Sequence, residues 1–215
     1  MGKKYKDKGF YRAIAADVTA GTEEGIIEAL PVVFNSYSVH ILDWCAEEEF
    51  REIILPHALD DTDLSDVLLL VNHEESMIPL ARTREGGNGG LGVLDLKVTD
   101  KGLHVSTKLD IENSVQAREI YTAVKNGIMR GMSFCFYLKE GDSRFYRDED
   151  DVLVHEISRI RMISEVSIVT YPAYPSTEVS TRQKRSLEND RAELESFLNR
   201  EGQAKVLRER IRLAR

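Results

Sequence analysis

Apolar positions along this chain fall mostly into short runs of period two, the pattern of half-buried strands, with one stretch of helical period. Ile26 to Asn35 is apolar and rich in branched side chains, and predicts a strand. Glu47 to Ile54 turns from acidic to apolar and fits either a short helix or a strand. A polar loop, Asp60–Asp66, leads into the apolar run Val67–Val71, which predicts a buried strand. Leu94, Leu96 and Val98 alternate, Thr99 to Gly102 turns, and Leu103, Val105, Thr107 and Leu109 alternate again, which predicts a hairpin. Asn113 to Gly127 predicts a helix: Ala117, Ile120, Tyr121 and Val124 form one stripe, Asn113 or Ser114 can cap it, and Gly127 suits the residue after its end.

Three strands complete the pattern. Met132 to Leu138 places Phe134, Phe136 and Leu138 on one face and Ser133, Cys135 and Tyr137 on the other, so Ser133 points away from the most apolar face. Val152–Ile157 and Ile160–Val169 follow a charged loop, Asp142–Asp151. In the last strand Val166 and Ile168 share one face, while Glu165, Ser167 and Val169 share the other. The prolines of Tyr171 to Pro175 end it. The fold class expected is α+β. Residues 1–25 read as a loosely ordered polar leader, 26–182 as the main domain and 183–215 as a charged helical tail broken near Gly202. Leu187, Leu194 and Leu198 give that tail only a short apolar stripe, too little for independent packing.

Composition narrows the function. At 215 residues and 42% hydrophobic, the chain can bury one sizeable core. No apolar run approaches the roughly 18–20 residues of a membrane span, and no apolar stretch follows the basic start, so neither a membrane span nor a secretory signal is expected. Two cysteines, Cys45 and Cys135, make neither a disulfide framework nor a zinc site, and point to a reducing cytoplasm. Residues 182–215 hold ten Lys/Arg against six Asp/Glu, a balance of +4; the total of −8 leaves −12 for the remainder. That acidic body argues against general nucleic-acid binding. The basic tail reads as a solvated helix, with contact to nucleic acid or an acidic protein as the other reading.

Candidate chemistry rests on few residues. Gly86–Gly90 lacks the Lys-Ser/Thr of a phosphate-binding loop and reads as a mobile loop. His73-Glu74-Glu75 starts like a zinc-protease helix, but Met77 stands where the second histidine belongs, so no metal or cofactor is expected. His73, at the end of one strand, and Ser133, near the start of another, form a candidate base and nucleophile. Cys135 is a second possible nucleophile on the Ser133 face. A third group would orient the imidazole; Glu165, in an otherwise apolar strand, and His155 are the candidates.

The order of several short motifs resembles the prohead proteases of tailed phages, a family similar in fold to the herpesvirus assemblins. The resemblance runs from about Pro31 to Arg182. It comprises Val33-Phe34-Asn35-Ser36, Glu52-Ile53-Ile54-Leu55-Pro56, Val71-Asn72-His73-Glu74 and Lys101-Gly102-Leu103. The most specific parts are Gly127 to Phe136, centred on Gly131-Met132-Ser133-Phe134, and Glu165 to Val169 with Pro172-Ala173-Tyr174. His57 departs from the pattern, which commonly has glycine there.

The resemblance implies a mostly antiparallel β-barrel flanked by helices. It also implies a serine endopeptidase that cleaves capsid or scaffold protein, and itself, inside the assembling prohead in the bacterial host cytoplasm. His73 aligns with the family's catalytic histidine and Ser133 with its nucleophile. Glu165 falls where the third member belongs, although assemblins use histidine there. The major capsid protein or a scaffold domain would be the partner, homo-oligomers are possible, and neither membrane nor nucleic acid is expected. Arg159, Arg161 and Arg182 are possible electrostatic helpers. The competing readings are a catalytically silent assembly module of the same fold and a nucleic-acid accessory acting through the tail.

Overall fold

The computed structural model describes residues 10–14, 18–21, 23–38, 41–43, 48–84, 90–170, 194 and 196–205. Thirteen strands and one helix follow in order: β1 (Phe10–Ile14), β2 (Thr19–Ala20), β3 (Ile26–Val33), β4 (Ile41–Asp43), β5 (Glu48–Ile54), β6 (Leu68–Val71), β7 (Ala81–Arg82), β8 (Leu94–Thr99), β9 (Gly102–Lys108), α1 (Val115–Lys125), β10 (Gly131–Tyr137), β11 (Ser143–Arg147), β12 (Leu153–Ile157) and β13 (Met162–Val169). A second helix, α2, covers 194 and 196–205. Among these residues no helix is long and apolar enough to cross a membrane.

The predicted helix and hairpin form as their patterns require. Ser114, not Asn113, caps α1: its hydroxyl accepts from the Ala117 N–H at 3.1 Å, while Asn113 bonds the Asp110 carboxylate. Ala117, Tyr121 and Val124 are its buried face, and Gly127 follows with φ +68°. β8 and β9 pair antiparallel across the two-residue loop Asp100-Lys101. The segment from Glu48 to Ile54 resolves as a strand.

The expected barrel is not formed. The described strands make three open sheets, ordered β1-β10-β13-β6-β7, β11-β12-β5-β4 and β2-β3-β9-β8. Closure needs one continuous ladder around the circle, whereas these ladders stop at short edges such as the two-residue β7 and β2. Pairing is mostly antiparallel; β12–β5 and β13–β6 are parallel.

Three segments hold structure that their sequence patterns do not show. β1 and β2 lie within residues 1–25, and β1 pairs with β10 in register Ala13↔Ser133. The charged loop Asp142–Asp151 contains β11, whose Ser143 and Phe145 turn inward on either side of the exposed Arg144. The described part of the tail is docked. Leu194, Phe197 and Leu198 pack on Phe50, Phe145 and Leu153, and Arg147 Nε donates to both oxygens of Glu201 at 3.2 Å. Positions 194, 197 and 198 are a helical i, i+3, i+4 stripe in which Phe197 adds the missing area, and α2 runs through Gly202 unbroken.

The five-stranded sheet separates two chemistries. Its core face aligns Phe134, Val166 and Leu69, then Met132, Ile168 and Val71, in the largest apolar cluster, shared with α1 and the β3–β9 sheet. Its other face aligns Ser133 with Ser167 and Leu70, and Cys135 with Glu165 and Leu68. A bulge makes this possible. Cys135 opposes Glu165 while Phe136 opposes Ile163, so Ser164 is an extra residue. Without it Ile163 and Glu165, two apart, would share a face; with it Ile163 joins the core and Glu165 stays opposite.

Candidate active site

The sequence of β6 ends in a backbone that only a few side chains tolerate. After Asn72 N–H donates to Ile168 O at 2.9 Å, Asn72 and His73 take φ of 50° and 58°. Asn and His are among the residues enriched in this left-handed region, and each such residue still costs on the order of 1–3 kcal/mol. Local bonds hold the turn. The Thr170 N–H donates to Asn72 Oδ1 at 3.0 Å, tying it to the end of β13, and Glu74 N–H donates to Val71 O at 3.0 Å. The His73 N–H donates to Ser167 Oγ at 3.2 Å.

This turn carries the His73 ring to the polar face of the sheet. Nδ1 lies 2.6 Å from Glu165 Oε1, and Ser167 Oγ donates to Glu165 Oε2 at 2.5 Å. Both oxygens of a nearly buried carboxylate therefore have partners, which offsets the cost of burying it. A carboxylate only accepts, so Nδ1 carries the ring proton and Nε2 is the acceptor of the neutral imidazole. Ser133 sits directly across from Ser167 on the same face, a relation that brings Cβ atoms within about 4.5–5.5 Å. The structure thus places His73, Glu165 and Ser133 on one face. Ser133 is not on a solvent-facing side, however; it has no exposed surface, since both faces of β10 are covered.

His155 is elsewhere. It lies in β12 with Nδ1 3.0 Å from Glu52 Oε2, both buried, and its ring stacks on Phe145 at 4.4 Å. It serves a second imidazole–carboxylate pair in another sheet, and Glu165 is the group brought to His73. Cys135 is buried opposite Glu165. Burial, with smaller contributions from Cys135 and Glu75, pushes the Tyr137 hydroxyl above its ordinary range against an opposing bond to Ser164, so the phenol on that face stays neutral. The pairing of Ser167 with the carboxylate and the Asn72–Thr170 clamp are contacts that sequence reasoning passed over; the shared parity of Glu165 and Ser167 was the available signal.

The arginines named as helpers are committed at the other end of β10. Arg161 N–H donates to Tyr137 O, and its guanidinium grips Asp142 through Nε at 2.6 Å and Nη2 at 2.5 Å. Arg159 pairs with Asp61. Tyr137 is four residues beyond Ser133, about 13 Å along a strand. Arg182 lies outside the described residues. Asp142 is buried, whereas Asp66 in the pair with Arg82 is mostly exposed. Arg161→Ala is therefore expected to lower the urea midpoint clearly and Arg82→Ala hardly at all.

A family model for caudovirus prohead serine protease matches residues 13–192. The chain belongs to that family. The matched stretch begins inside β1 and includes His73, Ser133 and Glu165. Membership makes this prohead protease a serine peptidase in general terms, with capsid maturation as its setting. No curated protein and no solved structure matches the chain.

Proposed function

We propose that this prohead protease is an endopeptidase in which Ser133 is the nucleophile, His73 the general base and Glu165 the residue that orients it. The observation that carries the reading is the 2.6 Å contact of His73 Nδ1 with Glu165 beside the Ser133–Ser167 register pair. Ser133 Oγ attacks a peptide carbonyl carbon while His73 Nε2 takes its proton. The tetrahedral intermediate collapses as His73 returns that proton to the leaving amine nitrogen, leaving an ester on Ser133. Water, deprotonated by the same nitrogen, attacks the ester carbonyl; the acyl–Oγ bond breaks as His73 gives that proton to Ser133 Oγ, which frees the acid and restores the serine. Glu165 keeps the ring in the required tautomer and stabilises the imidazolium.

The substrates proposed are the major capsid protein or its scaffold domain, and the protease itself, met inside the assembling prohead in the bacterial cytoplasm. Because Ser133 has no exposed surface, the chain around it must move before a peptide can reach it. That burial is also what favours a second reading, a catalytically silent assembly module of the same family. Co-expression with the cognate capsid protein, read by intact mass, separates the two: the protease reading expects a cleaved capsid protein, the silent module an intact one. In the same assay Glu165→Gln is expected to slow cleavage by roughly 10²–10⁴-fold, since loss of the orienting carboxylate upsets the tautomer. His155→Ala, if folded, should cleave at close to the wild-type rate. The reverse ranking would make His155 the third member.

A further inference from the structure

Ser167 is used by no step above, yet its hydroxyl makes two hydrogen bonds on the polar face. It is fully buried. A serine hydroxyl has one proton to donate and two lone pairs to receive. Here the proton goes to Glu165 Oε2 at 2.5 Å, and one lone pair accepts the backbone N–H of His73 at 3.2 Å. One oxygen atom is therefore bonded both to the carboxylate that holds the imidazole and to the main chain that carries it.

Two features make that double contact consequential. Glu165 has three rotatable side-chain bonds, and the bond to Oε2 restricts the rotation that would carry Oε1 away from His73 Nδ1. His73 is in a left-handed conformation, with φ 58°, that persists only where its surroundings over-determine it. The Ser167 contact is one of the bonds that does so. Ser167 also faces Ser133 directly across the β10–β13 ladder, so any loosening occurs beside the proposed nucleophile.

We propose that Ser167 is a positioning residue of this site, fixing through one hydroxyl both the Glu165 carboxylate and the backbone turn that presents His73. Its own proton is committed to Glu165, so it does not compete with Ser133 as nucleophile. The proposal rests on the Ser133–His73–Glu165 reading for its catalytic consequence, but not for the structural link itself.

The test uses the full chain as wild type, Ser167→Ala and Ser167→Cys, which keeps the shape, is slightly larger and replaces a strong donor by a weak one. Two quantities are read. One is the imidazole Nδ1–H proton resonance of His73, assigned by its absence in His73→Ala. The other is the time course of labelling by a fluorophosphonate probe, followed by intact mass. In both Ser167 variants the resonance is expected to move upfield or broaden away. The labelling rate should fall at least about tenfold, the effect of losing a hydrogen bond to a charged group, while final occupancy still reaches the wild-type value. An unchanged resonance and rate would overturn the proposal, and so would a fall in final occupancy at unchanged rate, which signals lost folded protein rather than a misplaced base. Undiminished labelling of Ser133→Ala, or no labelling of wild type, would instead discard the nucleophile assignment, and the resonance alone would then decide for or against Ser167.

Discussion

Ser133→Ala is expected to lower cleavage of the cognate capsid protein by roughly 10⁴-fold or more, because removing the nucleophile removes the covalent route altogether. His73→Ala should fall to a similar floor, and the double variant should be no worse than either alone, since residues that act as one unit are not additive. The melting temperature of Ser133→Ala should stay close to that of wild type. The change deletes one oxygen from a strand whose ladder bonds to β1 and β13 are made by the main chain. Intact mass of the co-expressed capsid protein measures the first effect and calorimetry the second. A Ser133→Ala protein that still processes its partner would remove the residue from the chemistry.

Gly102→Ala is expected to destabilise the fold by about 4 kcal/mol, near the upper end for a single substitution. Gly102 has φ +143°, and a Cβ there would stand 1.8 Å from Val32 O and 2.7 Å from Val32 C. These are backbone atoms of the neighbouring strand, so no side chain can swing aside. The register Val33↔Gly102 would have to break, pulling fully buried Val32 and Leu103 from the core. Gly127→Ala is the control. Its φ is +68°, but the nearest atom to a Cβ is Arg130 Cδ at 3.9 Å, so it should cost only about 1 kcal/mol of left-handed strain. Urea unfolding of the two variants measures the difference. Equal losses would mean that the close approach of β9 to β3 is not what demands glycine at position 102.

What could be read from the sequence was local. The α1 stripe, the β8–β9 hairpin and the alternation of β10 and β13 each repeat within a few residues, so hydrophobic period alone places them. His73, Ser133 and Glu165 stood out as polar groups at the ends or on one face of such runs. Their assembly was not legible, because it depends on β13 pairing with both β10 and β6 across the chain, and on the extra residue Ser164, which breaks the period that a sequence reading assumes. β11 was hidden by its two arginines and by the acidic residues on either side of it, although Phe145 turns inward. The docking of α2 was hidden for a similar reason: the stripe is short, and nothing local to it shows that Phe197 and Leu198 pack against Phe50 and Phe145. His155 looked like a possible orienter from its residue type, and nothing local to it showed that Glu52, in a parallel neighbouring strand, would claim it. The barrel came with the family resemblance; short edge strands and two parallel pairings leave three open sheets instead.

The nucleophile can be identified by where a covalent probe ends up. The full chain is treated with a fluorophosphonate, digested, and the adduct located by peptide mass. The Ser133–His73–Glu165 account predicts a single adduct on the peptide bearing Ser133, absent from both Ser133→Ala and His73→Ala. An adduct on Ser167 or on any other residue, or one that persists when Ser133 is replaced by alanine, would contradict it.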